Sequence, residues 1–271
     1  MTTLFTIPVP ALGNNPAGTI VCTEPAKQVY LLTINIAPDN RLTSASCGAL
    51  LNALDALEFG GFAPGVVVTT SGIAKFFSNG LDLEQALASE TFLPESLFKL
   101  FGRFLTYPMP TIALLNGHAF AGGLMLAMHH DYRIMNPTKG FACINELEFG
   151  VPLKPAMSSI FRLKLAPAVY RTLVLEAHRF SGPAALAAGI VDGVGGLDEV
   201  LELVQSRKLT TKAKTGIYGI LKAEMYRESV SLLSTEGHKL EEEKFLQAAE
   251  RDDECKERGR KVAGELLKGK L

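Results

Sequence analysis

One carboxylate and two glycine turns carry the chemistry legible in this chain. The run Asn116-Gly117-His118-Ala119-Phe120-Ala121-Gly122-Gly123-Leu124-Met125 follows the apolar segment Thr111–Leu115 and leads into a second apolar run ending at Met128. That order predicts strand, glycine turn, helix. A paired glycine at a helix start leaves bare backbone N–H groups, with the positive end of the helix dipole behind them. Such a spot suits a phosphate, a carboxylate or an oxyanion. Glu146 lies downstream, in the otherwise mostly apolar stretch Asn145-Glu146-Leu147-Glu148-Phe149-Gly150. An oxyanion site with one carboxylate is the minimum equipment for moving a proton next to a carbonyl.

A second turn, Ser78-Asn79-Gly80-Leu81-Asp82-Leu83, comes after the strand-like run Val66–Thr70. Its Ser-Asn-Gly core is tight-turn chemistry, and it offers another free N–H from a loop after another strand. Glu148 rivals Glu146. Residues two apart share a face in a strand but diverge in a helix, so periodicity alone does not choose between them. His129 and His130 are adjacent rather than four apart, which is not a zinc pair, and His118 reads as a packed or water-bonded histidine. No metal is called for.

Positioning these residues requires a buried sheet. Val29–Asn35, Val66–Thr70, Thr111–Leu115 and Tyr132–Met135 read as strands, and residues 43–59 as a helix stopped by Gly60-Gly61. Continuous apolar strands alternating with helices predict an α/β fold with the sheet covered on both faces. Residues 1–18, rich in Pro, Gly and Asn, read as a loose arm on a core domain spanning 1–198. Residues 199–271 read as a helical C-terminal region, with Glu241-Glu242-Glu243-Lys244 on a solvated face.

The balance of 27 Lys+Arg against 28 Asp+Glu argues against nucleic acid or an acidic membrane surface as the main partner. No apolar run reaches the length of a membrane span. Cys22, Cys47, Cys143 and Cys255 are far apart and form no C-x-x-C, which predicts a reducing compartment and buried, unpaired thiols. Gly269-Lys270-Leu271 differs from the Ser-Lys-Leu address in one position. That predicts recognition by a peroxisomal import receptor, with the cytoplasm as the alternative location.

The stretch Phe77–Leu83, the Asn116–Gly123 turn, Asp131, and Glu146 placed four residues before Gly150 resemble the enoyl-CoA hydratase/isomerase (crotonase) superfamily over residues 28–200. The resemblance implies a ClpP-like spiral of ββα units and a helical C-terminal region that builds a homotrimer or hexamer. It also implies an acyl-CoA thioester as substrate, without a separate cofactor. The thioester oxygen would sit between the Leu81 and Gly122 amides, with Ser78, Asn79, Gly80, Asp82, Leu83, Gly123 and Met125 around the substrate.

Two departures narrow the chemistry. Hydratases of the family carry a glutamate where this chain has Met125. Its dienoyl-CoA isomerases carry an aspartate there and a second one where this chain has Lys154. Methionine neither orients water nor moves a proton. A lone Glu146 fits Δ3,Δ2-enoyl-CoA isomerisation in fatty-acid β-oxidation. The alternatives are a hydratase, a thioesterase, or a protein that binds acyl-CoA or a partner without turnover. Lys75, Arg103 and the basic residues Lys256, Arg258, Arg260 and Lys261 compete for the CoA phosphates, and Phe92–Phe104 is a candidate acyl-chain wall or a plain core helix.

Overall fold

A computed structural model describes residues 2–268, so the Gly269-Lys270-Leu271 motif lies outside the described residues. The chain opens with strands β1 (Thr3–Val9), β2 (Gly18–Ala26) and β3 (Val29–Asn35), and helix α1 (Ser44–Phe59) then returns to β4 (Val66–Ser71). Helix α1 starts where predicted because the Thr43 hydroxyl accepts the Ser46 amide while the Ser46 hydroxyl accepts the Thr43 amide. It stops at Gly60, whose N–H closes onto the Ala56 carbonyl. Between these caps Cys47, Leu50, Leu54 and Leu57 are buried at helical spacing.

From β4 onward the chain repeats one theme: a long strand, a short strand, then helix. The first unit is β4, β5 (Phe76–Ser78) and α2 (Leu83–Ala88), extended by α3 (Phe98–Thr106). The second is β6 (Thr111–Leu115), β7 (His118–Phe120) and α4 (Gly122–His129). The third is β8 (Tyr132–Met135), β9 (Ala142–Cys143) and α5 (Glu146–Phe149), followed by α6 (Pro155–Lys164), α7 (Pro167–Leu175) and α8 (Gly182–Ala187). Long strands join a seven-stranded sheet ordered β1-β2-β3-β4-β6-β8-β10, where β10 is Gly193–Val194. Short strands form a separate three-stranded sheet, β5-β7-β9, whose pairings are all parallel. This is the spiral of ββα units expected from the resemblance.

The strands alternate between two cores with period two. Tyr30, Leu32, Val67, Ala113 and Leu115 face the main core, which holds α1, α3 and α4. Leu31, Val66, Val68, Ile112 and Leu114 face α9 (Leu197–Ser206) through Val200 and Val204. A boundary at residue 198 therefore cuts α9, the helix that covers the sheet's second face, and the predicted split is corrected on that ground. The remaining helices, α10 (Tyr218–Met225), α11 (Arg227–Leu232) and α12 (Thr235–Lys268), make the C-terminal region helical as expected.

Other expectations change as well. Residues 1–18 are not a loose arm, because β1 pairs antiparallel with β2 from Thr3↔Thr23 to Val9↔Gly18. Cys22, Cys47 and Cys143 are buried free thiols, but Cys255 is exposed on α12. Phe92, Phe98, Phe101 and Phe104 are fully buried, so this segment packs the core and exposes no acyl-chain wall. Phe101 stacks on His129 and Phe104 tilts onto His130, both at 4.1 Å between ring centres. Burial pushes His129 down to about 3 and His130 well below its ordinary range, so both imidazoles are neutral core groups. Among the described residues no cluster of three or more His, Cys, Asp or Glu could hold a metal ion, and no helix is long and apolar enough to cross a membrane.

Candidate active site

The three short strands run parallel and end at a common edge. β5 pairs with β7 (Phe76↔His118, Ser78↔Ala119), and β7 with β9 (Ala119↔Ala142, Phe120↔Cys143). The residues that leave this edge are Gly80-Leu81 from β5, Ala121-Gly122 from β7, and Asn145-Glu146 from β9. Neighbouring strands lie about 5 Å apart, so three parts distant in sequence meet within about 10 Å. The edge at the carboxyl ends of parallel strands is the usual place for a ligand in α/β folds.

Backbone geometry at this edge is demanding. Gly80 has φ +85°, and a Cβ there would meet the Phe120 carbonyl oxygen at 2.9 Å and the Gly122 nitrogen at 3.1 Å. Only glycine allows that approach. Ala121 has φ 49° and ψ −123°, an uncommon conformation for a residue with a Cβ, and it turns the chain so that α4 begins at Gly122. Among the described residues neither the Leu81 nor the Gly122 amide donates to an acceptor. A Cβ at Gly122 would lie 3.3 Å from the Leu81 nitrogen, which places the two amides side by side. Two unengaged N–H groups, that of Gly122 at the start of α4, are what an oxyanion cradle would require.

Glu146 completes the edge. Its Oε2 is buried and has no hydrogen-bond partner, and burial raises its pKa from the ordinary 4.5 to about 7. A carboxylate so placed is a base poised near neutrality. Glu148, its rival, is exposed and pairs with Arg179 at 3.3 Å. Because α5 is helical, the two side chains diverge, and only Glu146 is enclosed.

Several residues expected around a substrate also hold the scaffold together. The Ser78 hydroxyl donates to the Asn40 carbonyl at 2.8 Å and accepts the Gly80 amide at 3.2 Å, tying down the turn. Asn79 is held by Asp39 through both its amide and its side chain. Asp82 caps α2 by accepting the Gln85 amide at 2.9 Å. Leu83, by contrast, is exposed. Gly123 lets α4 lie against β5, since a Cβ there would sit 2.3 Å from the Ser78 carbonyl oxygen. Met125 is fully buried in α4, which is apolar all round. Arg103 bridges Asp55 and Glu58 on α1, which removes it as an anion site. His118 stands among Phe76, Phe120 and Phe141 and accepts the Phe141 amide at 3.1 Å, as a packed histidine.

Sequence reading missed Asp39 and Arg41. Arg41 Nη1 donates to the carbonyls of Asn79 at 3.0 Å and Leu81 at 3.2 Å, and its Nε pairs with Asp39 at 3.1 Å. A guanidinium gripping the carbonyls on either side of Gly80 fixes the tilt of the Leu81 amide. The only local signal was the turn Pro38-Asp39-Asn40-Arg41 after β3, since these bonds span about forty residues. Arg41→Ala is expected to lower kcat/KM about 10-fold or more, the scale of a small misplacement in an active site. Arg41→Lys restores little, because an ammonium cannot reproduce the planar fork. Steady-state kinetics on the two variants checks this.

Comparison with known proteins adds what geometry alone does not. A family profile described as Enoyl-CoA hydratase/isomerase matches residues 24–263. The chain belongs to the enoyl-CoA hydratase/isomerase family. It is 32% identical over 232 residues to the peroxisomal enoyl-CoA delta isomerase 2 of Arabidopsis thaliana, covering 80% of this chain and 96% of that protein. It is 31% identical over 183 residues to the carnitinyl-CoA dehydratase of Salmonella typhi, covering 64% of this chain and 67% of the other. Among solved structures, the apo enoyl-CoA isomerase of Mycobacterium tuberculosis superposes with a TM-score of 0.67 at 23% identity, covering 79% of this chain and 93% of that one. A second structure of that same protein, described there as a probable enoyl-CoA hydratase, gives 0.70 at 23% identity, covering 85% of this chain and 98% of that one. These two likenesses concern the fold; the profile and the curated relatives carry the family.

Proposed function

We propose that this family member is a Δ3,Δ2-enoyl-CoA isomerase, with Glu146 as its single acid and base. The carrying observation is the half-buried Glu146 carboxyl, whose Oε2 has no partner, at the same strand edge as two free amides, where Glu148 and Asp82 are already engaged. The thioester oxygen of a 3-enoyl-CoA accepts from the Leu81 and Gly122 amides. Glu146 removes a proton from C2, the dienolate charge gathers on that oxygen, and the resulting carboxylic acid returns the proton at C4. The product is the trans-2-enoyl ester, and no cofactor beyond the substrate's own coenzyme A is needed. Similarity to the Arabidopsis delta isomerases supports this reading, as does Met125 at the position of the hydratases' second glutamate.

Water addition is the second reading, favoured by the match to a dehydratase. Incubation with trans-3-hexenoyl-CoA and, separately, trans-2-hexenoyl-CoA separates the two. Isomerisation interconverts the esters at constant mass, whereas hydration adds one water. Free acid would mean a thioesterase, and bound but unchanged ester a binding protein. The peroxisomal names of two relatives, with Gly269-Lys270-Leu271, support import into peroxisomes. Assembly as a homotrimer or hexamer is part of the same proposal and is checked by light scattering.

The pH dependence follows from Glu146. The active form is the carboxylate, so kcat/KM rises with pH through a midpoint at about 7 and falls on the acid side. An exposed glutamate would place that limb near 4.3. A rate profile from pH 5 to 9 distinguishes them.

A further inference from the structure

The segment after Glu146 is short, exposed and folded back on itself. Gly150 closes α5, the Val151 amide donates back to the Glu146 carbonyl at 3.0 Å, and Pro155 begins α6. Lys154, the N-cap residue of α6, turns its ammonium away to Glu242 on α12, at 2.8 Å. The other oxygen of Glu242 meets His238 Nε2 at 3.0 Å. The His238 ring in turn stands edge-on to the buried Phe98 of α3, with centroids 5.1 Å apart. One carboxylate thereby gathers a lysine from the site segment and a histidine anchored on the core. Beneath them Pro152, Pro155, Ala156 and Phe245 wall a small apolar cleft of about 60 Å³.

We propose that Lys154, Glu242 and His238 form a latch that holds the start of α12 across the segment following Glu146, positioning Glu146 and keeping its surroundings dry. This rests on the isomerase reading, because a dry base favours proton return to C4 over attack by water. It also gives Lys154, at the position of the dienoyl isomerases' second acid, a task of its own. An exposed ion pair alone contributes little. Here the pair is one leg of a three-point contact whose third leg is a ring packed on the core.

The other charged groups nearby are otherwise engaged. Glu148 pairs with Arg179, and Glu241 with Lys244. The Lys154 ammonium is the largest cause holding Glu242 below the usual carboxylate range, whereas burial lowers His238. The latch therefore centres on an ionised Glu242 that accepts from Lys154 and from a neutral or charged imidazole.

The experiment compares the full chain with Glu242→Ala and Glu242→Gln, the second of which keeps the side-chain length and one of the two acceptor oxygens. Amide hydrogen exchange over residues 146–156, read without substrate, is expected to rise about 5-fold in Glu242→Ala and by less in Glu242→Gln, which keeps one acceptor. In Glu242→Ala the acid limb of kcat/KM is expected to move down from about 7, and a product heavier by one water to appear. Unchanged exchange overturns the latch. Faster exchange with an unmoved acid limb and no water adduct overturns its role in catalysis and leaves a purely structural contact. A wild-type chain that isomerises neither ester sinks the isomerase reading instead, and the exchange result still decides whether α12 is latched.

Discussion

Glu146→Gln is expected to lower the proposed isomerase turnover by about 1000-fold or more while leaving acyl-CoA affinity nearly unchanged. Glutamine matches the shape of glutamate but cannot accept a proton from C2, and one positioned acid/base group contributes about 10²–10⁴ in rate. The same substitution changes stability with a sign set by burial. The folded-state pKa of Glu146 lies above its ordinary 4.5, at about 7, so the folded chain binds this proton more tightly. Its contribution to stability is full below the ordinary value and is lost as pH rises through the folded one. At about 1.36 kcal/mol per pKa unit, enclosing the charge costs on the order of 3 kcal/mol above neutrality. Urea unfolding should therefore find Glu146→Gln more stable than wild type at pH 8 by up to that amount, and equal to it at pH 4. Equal stability at both pH values would place the carboxylate in water and remove the argument for its basicity.

Gly123→Ala should disable the oxyanion cradle without touching the base. The added methyl would lie 2.3 Å from the Ser78 carbonyl oxygen and 2.9 Å from the Ser78 carbonyl carbon, both backbone atoms. Helix α4 must then move away from β5, which parts the Gly122 amide from the Leu81 amide. Losing one oxyanion donor costs about 10²–10³ in kcat, and overpacking a tight contact about 1–3 kcal/mol in stability. Gly102→Ala is the matched control. It lies within α3, where nothing stands within 4 Å of a new Cβ, and it should raise stability by about 0.5–1 kcal/mol without affecting kcat. If Gly123→Ala kept its kcat, the two amides would not act together.

Features with a local cause were legible in the sequence. The Thr43 and Gly60 caps, the buried strands and the glycine turns each depend on a few neighbouring residues. What depends on distant partners was not. Residues 1–18 read as a loose arm because they are rich in Pro, Gly and Asn, yet β1 forms at the edge of the sheet, with Pro8 opposite Thr19. An edge strand tolerates a missing N–H on its open side. Arg41 gave no signal because its acceptors are backbone carbonyls on another loop. Glu146 was separated from Glu148 by family spacing, and only the structure supplied the physical reason, one enclosed side chain and one paired with Arg179. Met125 reads as apolar in the sequence, whereas the burial of α4 on every side depends on distant partners that the sequence does not reveal.

The edge formed by β5, β7 and β9 has a consequence for how such a site changes over time. Each successive unit of the spiral contributes one part: the Leu81 amide, the Gly122 amide, the Glu146 carboxyl. The cradle needs only backbone, so it persists through almost any side-chain replacement outside its glycines. The reacting group hangs on a single side chain at the end of the third strand. Ancestral and descendant enzymes can therefore trade acids and bases at fixed points while the grip on the thioester stays the same. Reaction type drifts in such a lineage faster than substrate class.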